Sequence, residues 1–345
     1  MNLEFHYYAT AALAMRAGYP SDAAHRIARS SQQVDQAIFS WEILDFPVTV
    51  GGRANLAGPG YRTEKTQDYV FWDEDVFRTI YLPFHFIPGD PEKAARERAD
   101  GAGNPWITTP DSPLARELLV RALRSGDHFR IGIALHSYAH PWAHQNFSGR
   151  LESVNELSPR SPLPPAGHFQ ALSSPDQATE EWRDPRLRRP DIVNRQRFLA
   201  AARMIYRFLR TSLHRDFDDE LLVIEELGEL WERRELDDRA RAFDFTIRYD
   251  IEPWNASIWL AAAGIVDEEG PEDRPRHYDK LLWFGNEIAK RAARRDGIRR
   301  VDSGGRFRAS ELHAWSEAAK AHRAEALSLI DEALGASLVG KRGTR

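Results

Sequence analysis

The sequence contains no cysteine among its 345 residues, and this absence excludes several kinds of site. Disulfide bonds, thiolate catalysis and every zinc or iron–sulfur site that uses cysteine are ruled out. Any metal ion must therefore bind histidine, aspartate, glutamate or backbone oxygen atoms.

Long apolar runs and an excess of basic residues are also missing. No stretch approaches the roughly 20 apolar residues that cross a bilayer, and MNLEFHYYATAALAMRAGYP is not a signal sequence. The net charge is -5, whereas general nucleic-acid binding needs clustered excess Lys and Arg. We expect a cytoplasmic protein with no membrane span and no general affinity for nucleic acids; the oligomeric state is left open.

Hydrophobic residues make up 42% of the chain, and their spacing predicts an all-α fold. Helices are predicted over residues 3–17, 22–39, 114–123, 129–147, 194–213, 221–236, 280–295 and 309–334. Residues 47–69 are predicted to form a loop, and the proline-rich 158–190 another. Residues 80–90 are interrupted by Pro83 and Pro88, which favours a buried irregular strand over a helix. No alternating pattern is long enough to predict a sheet.

The organisation predicted from this pattern is one large helical domain over residues 1–335. Its metal-site half covers about residues 1–190 and its supporting helices about 191–335. Gly335 is expected to end the last helix, and residues 336–345 are expected to be disordered.

Three histidines in GIALHSYAHPWAHQNFSG carry the strongest chemical signal. In an α-helix His136, His140 and His144 project within an arc of about 80°. Neutral imidazole is a common ligand of zinc and also suits iron. A single buried histidine is most often a hydrogen-bonded core residue, and His322 is interpreted in that way. Three in register on an apolar face instead predict a metal site, because burying unpartnered polar rings is costly.

Four more residues are candidates for the same site. His6 lies in EFHYY, His85 in PFHFIPGD and His168 in the loop segment AGHFQ, while Asp35 is on the second predicted helix. The alternative interpretation makes His6 and His85 core histidines and Asp35 and His168 solvated residues. Tyr7, Tyr138 and Trp142 are expected to form aromatic walls of the pocket.

Several motifs in a fixed order resemble an uncharacterised bacterial protein family of unknown function. They are FHYYAT, SSQQVDQA, FHFIPGD, GDHFRIGIALH and HSYAHPWAHQNFSG, and the similarity runs from residue 3 to about residue 209. The order of histidines and aspartate is also remotely similar to zinc-dependent phospholipase C and the fungal single-strand nucleases, which are all-helical and hold three zinc ions. That resemblance implies metal ligands at His6, Asp35, His85, His136, His140, His144 and His168.

This chain departs from the pattern that the resemblance implies at two positions. Related sequences generally have aspartate where this chain has His140, and often an acidic residue where it has Gln170. A carboxylate can bridge two cations and offset their repulsion, whereas a neutral imidazole binds one. We therefore expect one or two ions rather than three.

Three functional hypotheses follow. The first is a metal-dependent hydrolase, with zinc the first choice and iron or manganese as alternatives, acting on a phosphoester or another small molecule. In it Asp35 and His140 are the catalytic candidates. The second is a non-haem iron oxygenase-type biosynthetic enzyme on the same ligands. The third is a catalytically degenerate metal-binding protein that recognises a partner.

Overall fold

The computed structural model is mainly helical, and its first helix begins at Glu4. It describes residues 1–47, 49–50, 53–54, 60–68, 70–266 and 298–342. A π-helix, Glu4–Ala9, continues directly into α1 (Thr10–Ala17), which ends at Gly18 in the left-handed conformation with φ 106. The next helix is α2 (Ser21–Gln36). Both predicted N-terminal helices are therefore present, and α2 ends three residues before the predicted end at residue 39.

The second π-helix corrects a prediction. Asp73 caps the start of α3 (Glu74–Val76), which continues without a break into the π-helix Phe77–His85. The expected buried strand over residues 80–90 is wrong, because Pro83 is accommodated inside this helix and the amide of Phe86 reaches back to Tyr81 O at 2.7 Å. A short helix, α4 (Pro91–Glu97), follows.

The central helix of the fold is α6 (His128–Ala143). It packs against α2, α5 (Pro113–Ser125), α7 (Asn194–Ser212) and α11 (Glu311–Arg342). Asp127 caps α6 through Phe129 N, and Ser112 caps α5 through Ala115 N. The predicted helix runs to residue 147, whereas α6 ends at Ala143, and the amide of its C-cap, His144, donates to His140 O at 2.9 Å.

Short strands also form, contrary to the expectation of no sheet. β1 (Ser40–Pro47) lies between β4 (Gly60–Arg62), which is antiparallel to it, and β7 (Ile298–Val301), which is parallel. Ile43 pairs with Tyr61 on one side and with Val301 on the other. Two small antiparallel pairs are β2 (Thr49–Val50) with β3 (Arg53–Ala54), and β5 (Glu181–Arg183) with β6 (Asp191–Val193). Such short strands leave no long alternating pattern in the sequence. Part of the loop predicted at 47–69 therefore forms strand, namely residues 47, 49–50, 53–54 and 60–62.

The described residues after α7 are mainly helical, with β7 as their strand. They contain α8 (Glu220–Glu232), α9 (Asp238–Tyr249) and α10 (Ile258–Ala262) before α11. Gly335 does not end the last helix, because α11 continues to Arg342, so the tail predicted as disordered is helical over its described part. The helix predicted at 280–295 lies outside the described residues. Within the described part of the chain, no helix is both long and apolar enough to cross a membrane.

Candidate metal centre

Four side chains from three helical segments meet beside α6. We call them the helical group: His6 from the first π-helix, Asp35 from α2, and His136 and His140 from α6. Each offers one ligand atom, and these atoms all lie within 4.8 Å of one another. The ring centroid of His6 lies 4.0 Å from that of His136 and 4.9 Å from that of His140.

Four ring nitrogens of the helical group are buried without a hydrogen-bond partner. These are the two ring nitrogens of His6, Nδ1 of His136 and Nε2 of His140. Burial lowers the pKa of all three histidines well below the ordinary value, so their rings are neutral and carry lone pairs. An unpaired polar atom in a core is costly, and a bound cation would satisfy several of these atoms at once.

His85, at the end of the second π-helix, lies against the helical group. Its Nε2 is 2.8 Å from the carbonyl oxygen of Thr66. A carbonyl only accepts, so Nε2 carries the hydrogen and Nδ1 carries the lone pair. Nδ1 lies 3.5 Å from His136 Nε2 and 4.0 Å from Asp35 Oδ1. The carbonyl thus holds this ring in the orientation that a fifth ligand of the same ion would need.

Asp35 supplies the carboxylate of the helical group. Its Oδ1 lies 3.7 Å from His136 Nε2, and Gln67 Nε2 donates to it at 3.5 Å. Burial raises the pKa of Asp35 to about 7. A nearby cation would favour the charged form and reverse this shift.

A close approach of α2 to α6 brings Asp35 to His136. A Cβ atom at Gly132 would lie 2.2 Å from the carbonyl oxygen of Ile27 and 2.6 Å from Ser30 Cβ. Only glycine fits at this crossing. His136 is one helical turn beyond Gly132, so the spacing of the two backbones at the crossing sets the distance between His136 and Asp35.

A second set of three side chains lies in irregular structure, and we call it the loop group. His144 is the C-cap of α6, His168 precedes the single turn Phe169–Ala171, and Asp176 ends the turn Ser174–Asp176. Their ligand atoms also lie within 4.8 Å of one another. Asp176 Oδ1 is 2.8 Å from His144 Nε2, and Oδ2 is 3.5 Å from His168 Nε2. The Met1 ammonium is 3.0 Å from Asp176 Oδ1.

Backbone and side-chain hydrogen bonds hold the loop group in place. His168 Nδ1 donates to Leu172 O at 3.0 Å, and Asn194 Nδ2 donates to Ser174 O and Gln177 O on either side of Asp176. The two groups are in direct contact, because His140 Nδ1 and His144 Nδ1 are 3.2 Å apart. The arrangement offers either one metal ion with a supporting shell or two neighbouring ions.

The comparison with known proteins gives a family but no activity. The model of the family of unknown function DUF6765 matches residues 1–330. The chain belongs to this family. The expected membership of an uncharacterised family is thus confirmed, and the match extends well beyond residue 209. No curated protein and no solved structure matches the chain, so the similarity to phospholipase C and the nucleases stays a prediction.

The structure of this DUF6765 protein brings all seven predicted metal-site residues together. Four form the helical group, His85 lies beside it, and His144 and His168 belong to the loop group. The three histidines His136, His140 and His144 lie in a row, with successive ring centroids 4.4 and 4.7 Å apart. His144 is the C-cap of α6, and its ligand atom belongs to the loop group.

The structure adds to the sequence predictions for two polar residues, Asp176 and Gln170, and for two tyrosines. Asp176 was not predicted; the only signal is a carboxylate a few residues after His168 in the proline-rich loop. Gln170 does not replace a ligand, since its side chain accepts from Leu157 N and Ser158 N and donates to Leu163 O. Tyr7 and Tyr138 are buried, and their hydroxyls donate to Glu252 O and Asp111 Oδ1, so aromatic pocket walls stay a prediction.

Proposed function

We propose that this DUF6765 protein is a metal-dependent hydrolase of a phosphoester, with its ion held by the helical group. The observation that carries the proposal is the set of buried, unpartnered imidazole nitrogens that converge with Asp35 within 4.8 Å. Three neutral imidazoles and one carboxylate form a donor set that zinc accepts readily and that iron or manganese also tolerates. The residues present therefore fit a divalent ion.

The chemistry follows from the charge of such a site. One divalent ion with a single carboxylate leaves a net positive charge, which attracts an anionic phosphoester. When bound, the ion lowers the pKa of a water ligand to about 7 and stabilises negative charge on a phosphoryl oxygen. In this proposal Asp35 is a ligand, and His6, His136 and His140 hold the ion through nitrogen. The lone pair of His85 Nδ1 supplies a fifth ligand or accepts a proton from the attacking water.

The test begins with the metal content of protein purified without added metal. We expect close to one equivalent of tightly bound divalent ion, and hydrolysis of bis(p-nitrophenyl) phosphate that a chelator removes and zinc or manganese restores. His136→Ala should lose both the ion and the activity. His128→Ala is the matched control, because His128 is on the same helix outside both groups and should leave both unchanged.

Two outcomes would contradict the proposal. Stoichiometric iron without phosphoesterase activity would favour oxygen-activating chemistry on the same ligands. A bound ion with no activity on mono- or diesters, and no exchangeable water in its coordination shell, would favour a structural ion in a partner-binding protein.

A further inference from the structure

One hydrogen bond joins the helical group to the loop group. It runs between Nδ1 of His140 and Nδ1 of His144, which are 3.2 Å apart. A neutral imidazole has one N–H and one lone pair, so one ring must donate and the other must accept. The ring that donates from Nδ1 has its lone pair on Nε2, and the ring that accepts has its hydrogen on Nε2.

This constraint gives the neutral pair two states. In the first state His140 donates, so its Nε2 lone pair belongs to the helical group while His144 carries hydrogen on Nε2. In the second state His144 donates, so its Nε2 lone pair belongs to the loop group while His140 carries hydrogen on Nε2. A nitrogen that carries hydrogen cannot bind a metal ion. Only one of the two groups can then use its α6 histidine as a ligand.

We propose that the N–H shared by His140 and His144 makes the helical group and the loop group compete for metal ions. An ion bound through Nε2 of one ring places the hydrogen on Nε2 of the other and weakens the other group. The proposal rests on the proposed function, because it takes the helical group as a metal site. It goes beyond that function because it predicts one tightly and one weakly bound ion, and because binding in one group weakens binding in the other.

The structure also indicates which group binds first. Asp176 Oδ1 lies 2.8 Å from His144 Nε2, and a carboxylate only accepts, so this contact selects the state with hydrogen on His144 Nε2. In that state the lone pair of His140 Nε2, which is buried without a hydrogen-bond partner, is ready for an ion. Asp176 and His144 then orient His140 as a supporting shell for the helical group.

The loop group remains a second, weaker site. His168 Nδ1 donates to Leu172 O at 3.0 Å, and His168 Nε2 lies 3.5 Å from Asp176 Oδ2. In the neutral form of His168 the lone pair is then on Nε2. An ion between these atoms can also bind His144 Nε2 only if the His140–His144 pair changes state or its hydrogen bond breaks. Leaving a buried hydrogen bond unmade weakens binding by roughly ten- to a hundredfold.

The test is a calorimetric titration of the ion-free protein with Zn²⁺ alone. We expect one tight equivalent, and a second that binds roughly ten- to a hundredfold more weakly. In His140→Asp the new carboxylate only accepts, so His144 can keep its hydrogen on Nδ1 and use Nε2 for an ion. That variant should bind two equivalents with dissociation constants within about threefold of each other. His128→Asp, with the same change of charge on the same helix, should keep the wild-type pattern.

A measurement on the wild type avoids dependence on a variant that fails to fold. Nitrogen NMR of histidine-labelled protein distinguishes ring nitrogens that are protonated, free or metal-bound. With one equivalent of Zn²⁺ we expect Nε2 of His140 to be metal-bound and Nε2 of His144 to carry hydrogen. Two ions that bind with equal affinity would overturn the competition. So would a protein with one ion in each group in which Nε2 of both His140 and His144 is metal-bound.

Failure of the competition and failure of the hydrolase proposal differ. Equal affinities in an enzyme that hydrolyses phosphodiesters would refute the competition alone. Unequal affinities in a protein that hydrolyses none would support the competition and refute the hydrolase.

Discussion

The helical group and the loop group hold the same kinds of side chain in different ways. The histidines of the helical group are 0–4% exposed and are fixed by the packing of α6 against α2 and the first π-helix. The side chain of Asp35 is 22% exposed, so the carboxylates of the two groups are about equally accessible. In the loop group His144 is 3% exposed and His168 17%, and His168 and the backbone on either side of Asp176 are fixed by hydrogen bonds in irregular structure. Packing leaves four nitrogens of the first group without a hydrogen-bond partner, whereas hydrogen bonds hold the side chains of the second. The first group should therefore dominate ion binding.

The largest expected difference between the groups concerns their carboxylates. At pH 8, Asp35→Asn should lose most of the zinc-dependent stabilisation, which amounts to about 4 kcal/mol at a thousandfold excess of zinc over the dissociation constant. In chelator the same variant should melt at a higher temperature than wild type. The reason is that burial raises the pKa of Asp35 to about 7, so its charge destabilises the ion-free fold above the unfolded value of 3.8.

Asp176→Asn provides the matching measurement in the loop group. Its amide oxygen can still accept from His144, so zinc should continue to raise the melting temperature almost as much as in wild type. Equal losses in the two variants would show that the groups contribute alike. The measurement is thermal unfolding with and without zinc.

A second prediction tests the helix crossing. Gly132→Ala places a Cβ atom 2.2 Å from Ile27 O and forces α2 away from α6. We expect the affinity of the helical group for zinc to fall at least about tenfold and the free energy of unfolding to fall by about 1–3 kcal/mol. In the control Gly228→Ala, on α8, the new Cβ atom meets only Leu199 at 3.7 Å. That control should bind zinc normally and unfold no more easily.

Buried histidines with and without partners were distinguishable only in part from the sequence. His322 was interpreted as a hydrogen-bonded core residue, and it lies 3.0 Å from Pro83 O and 3.2 Å from Ser137 Oγ. The i, i+4 spacing placed His136 and His140 correctly, since both are on a regular helix. For His144 the spacing gave the contact with His140 but not the contact with Asp176, which the loop supplies. Asp176 depends on backbone contacts that Asn194 makes across the loop, and no local pattern encodes these.

The third prediction uses His322 as a buried histidine outside both groups. Burial lowers its pKa to about 4. In the unfolded chain a histidine binds a proton near pH 6.5, whereas in the folded protein His322 stays neutral down to about pH 4. The free energy of unfolding is therefore unaffected by His322 above pH 6.5 and decreases as the pH falls from 6.5 towards 4. We measure the decrease in the free energy of unfolding from pH 7.5 to pH 5 in the presence of a chelator. This decrease should be about 2 kcal/mol smaller in His322→Gln than in the wild type. Denaturant titrations at both pH values measure this, and parallel losses would contradict the assignment.

The smallest effect is expected at Gln170, beside the loop group. Gln170→Glu restores the acidic residue that the resemblance implies, but its side chain keeps only the acceptor contacts and loses the donor to Leu163 O. We expect the free energy of unfolding to fall by about 1 kcal/mol and the number of bound zinc ions to stay the same. An additional tightly bound ion in this variant would mean that position 170 can reach the centre.

Both histidines that reach the metal centre from helical segments other than α6, His6 and His85, are on π-helices. A π-helix is rare because its wider turn is less favourable than an α-helical one, and it is found mostly at functional sites. Removing one residue from Glu4–Ala9 would allow a regular α-helix and turn His6 by about 100° away from His136. In evolutionary terms, a single-codon deletion there would give this chain a more regular helix and at the same time remove its metal site.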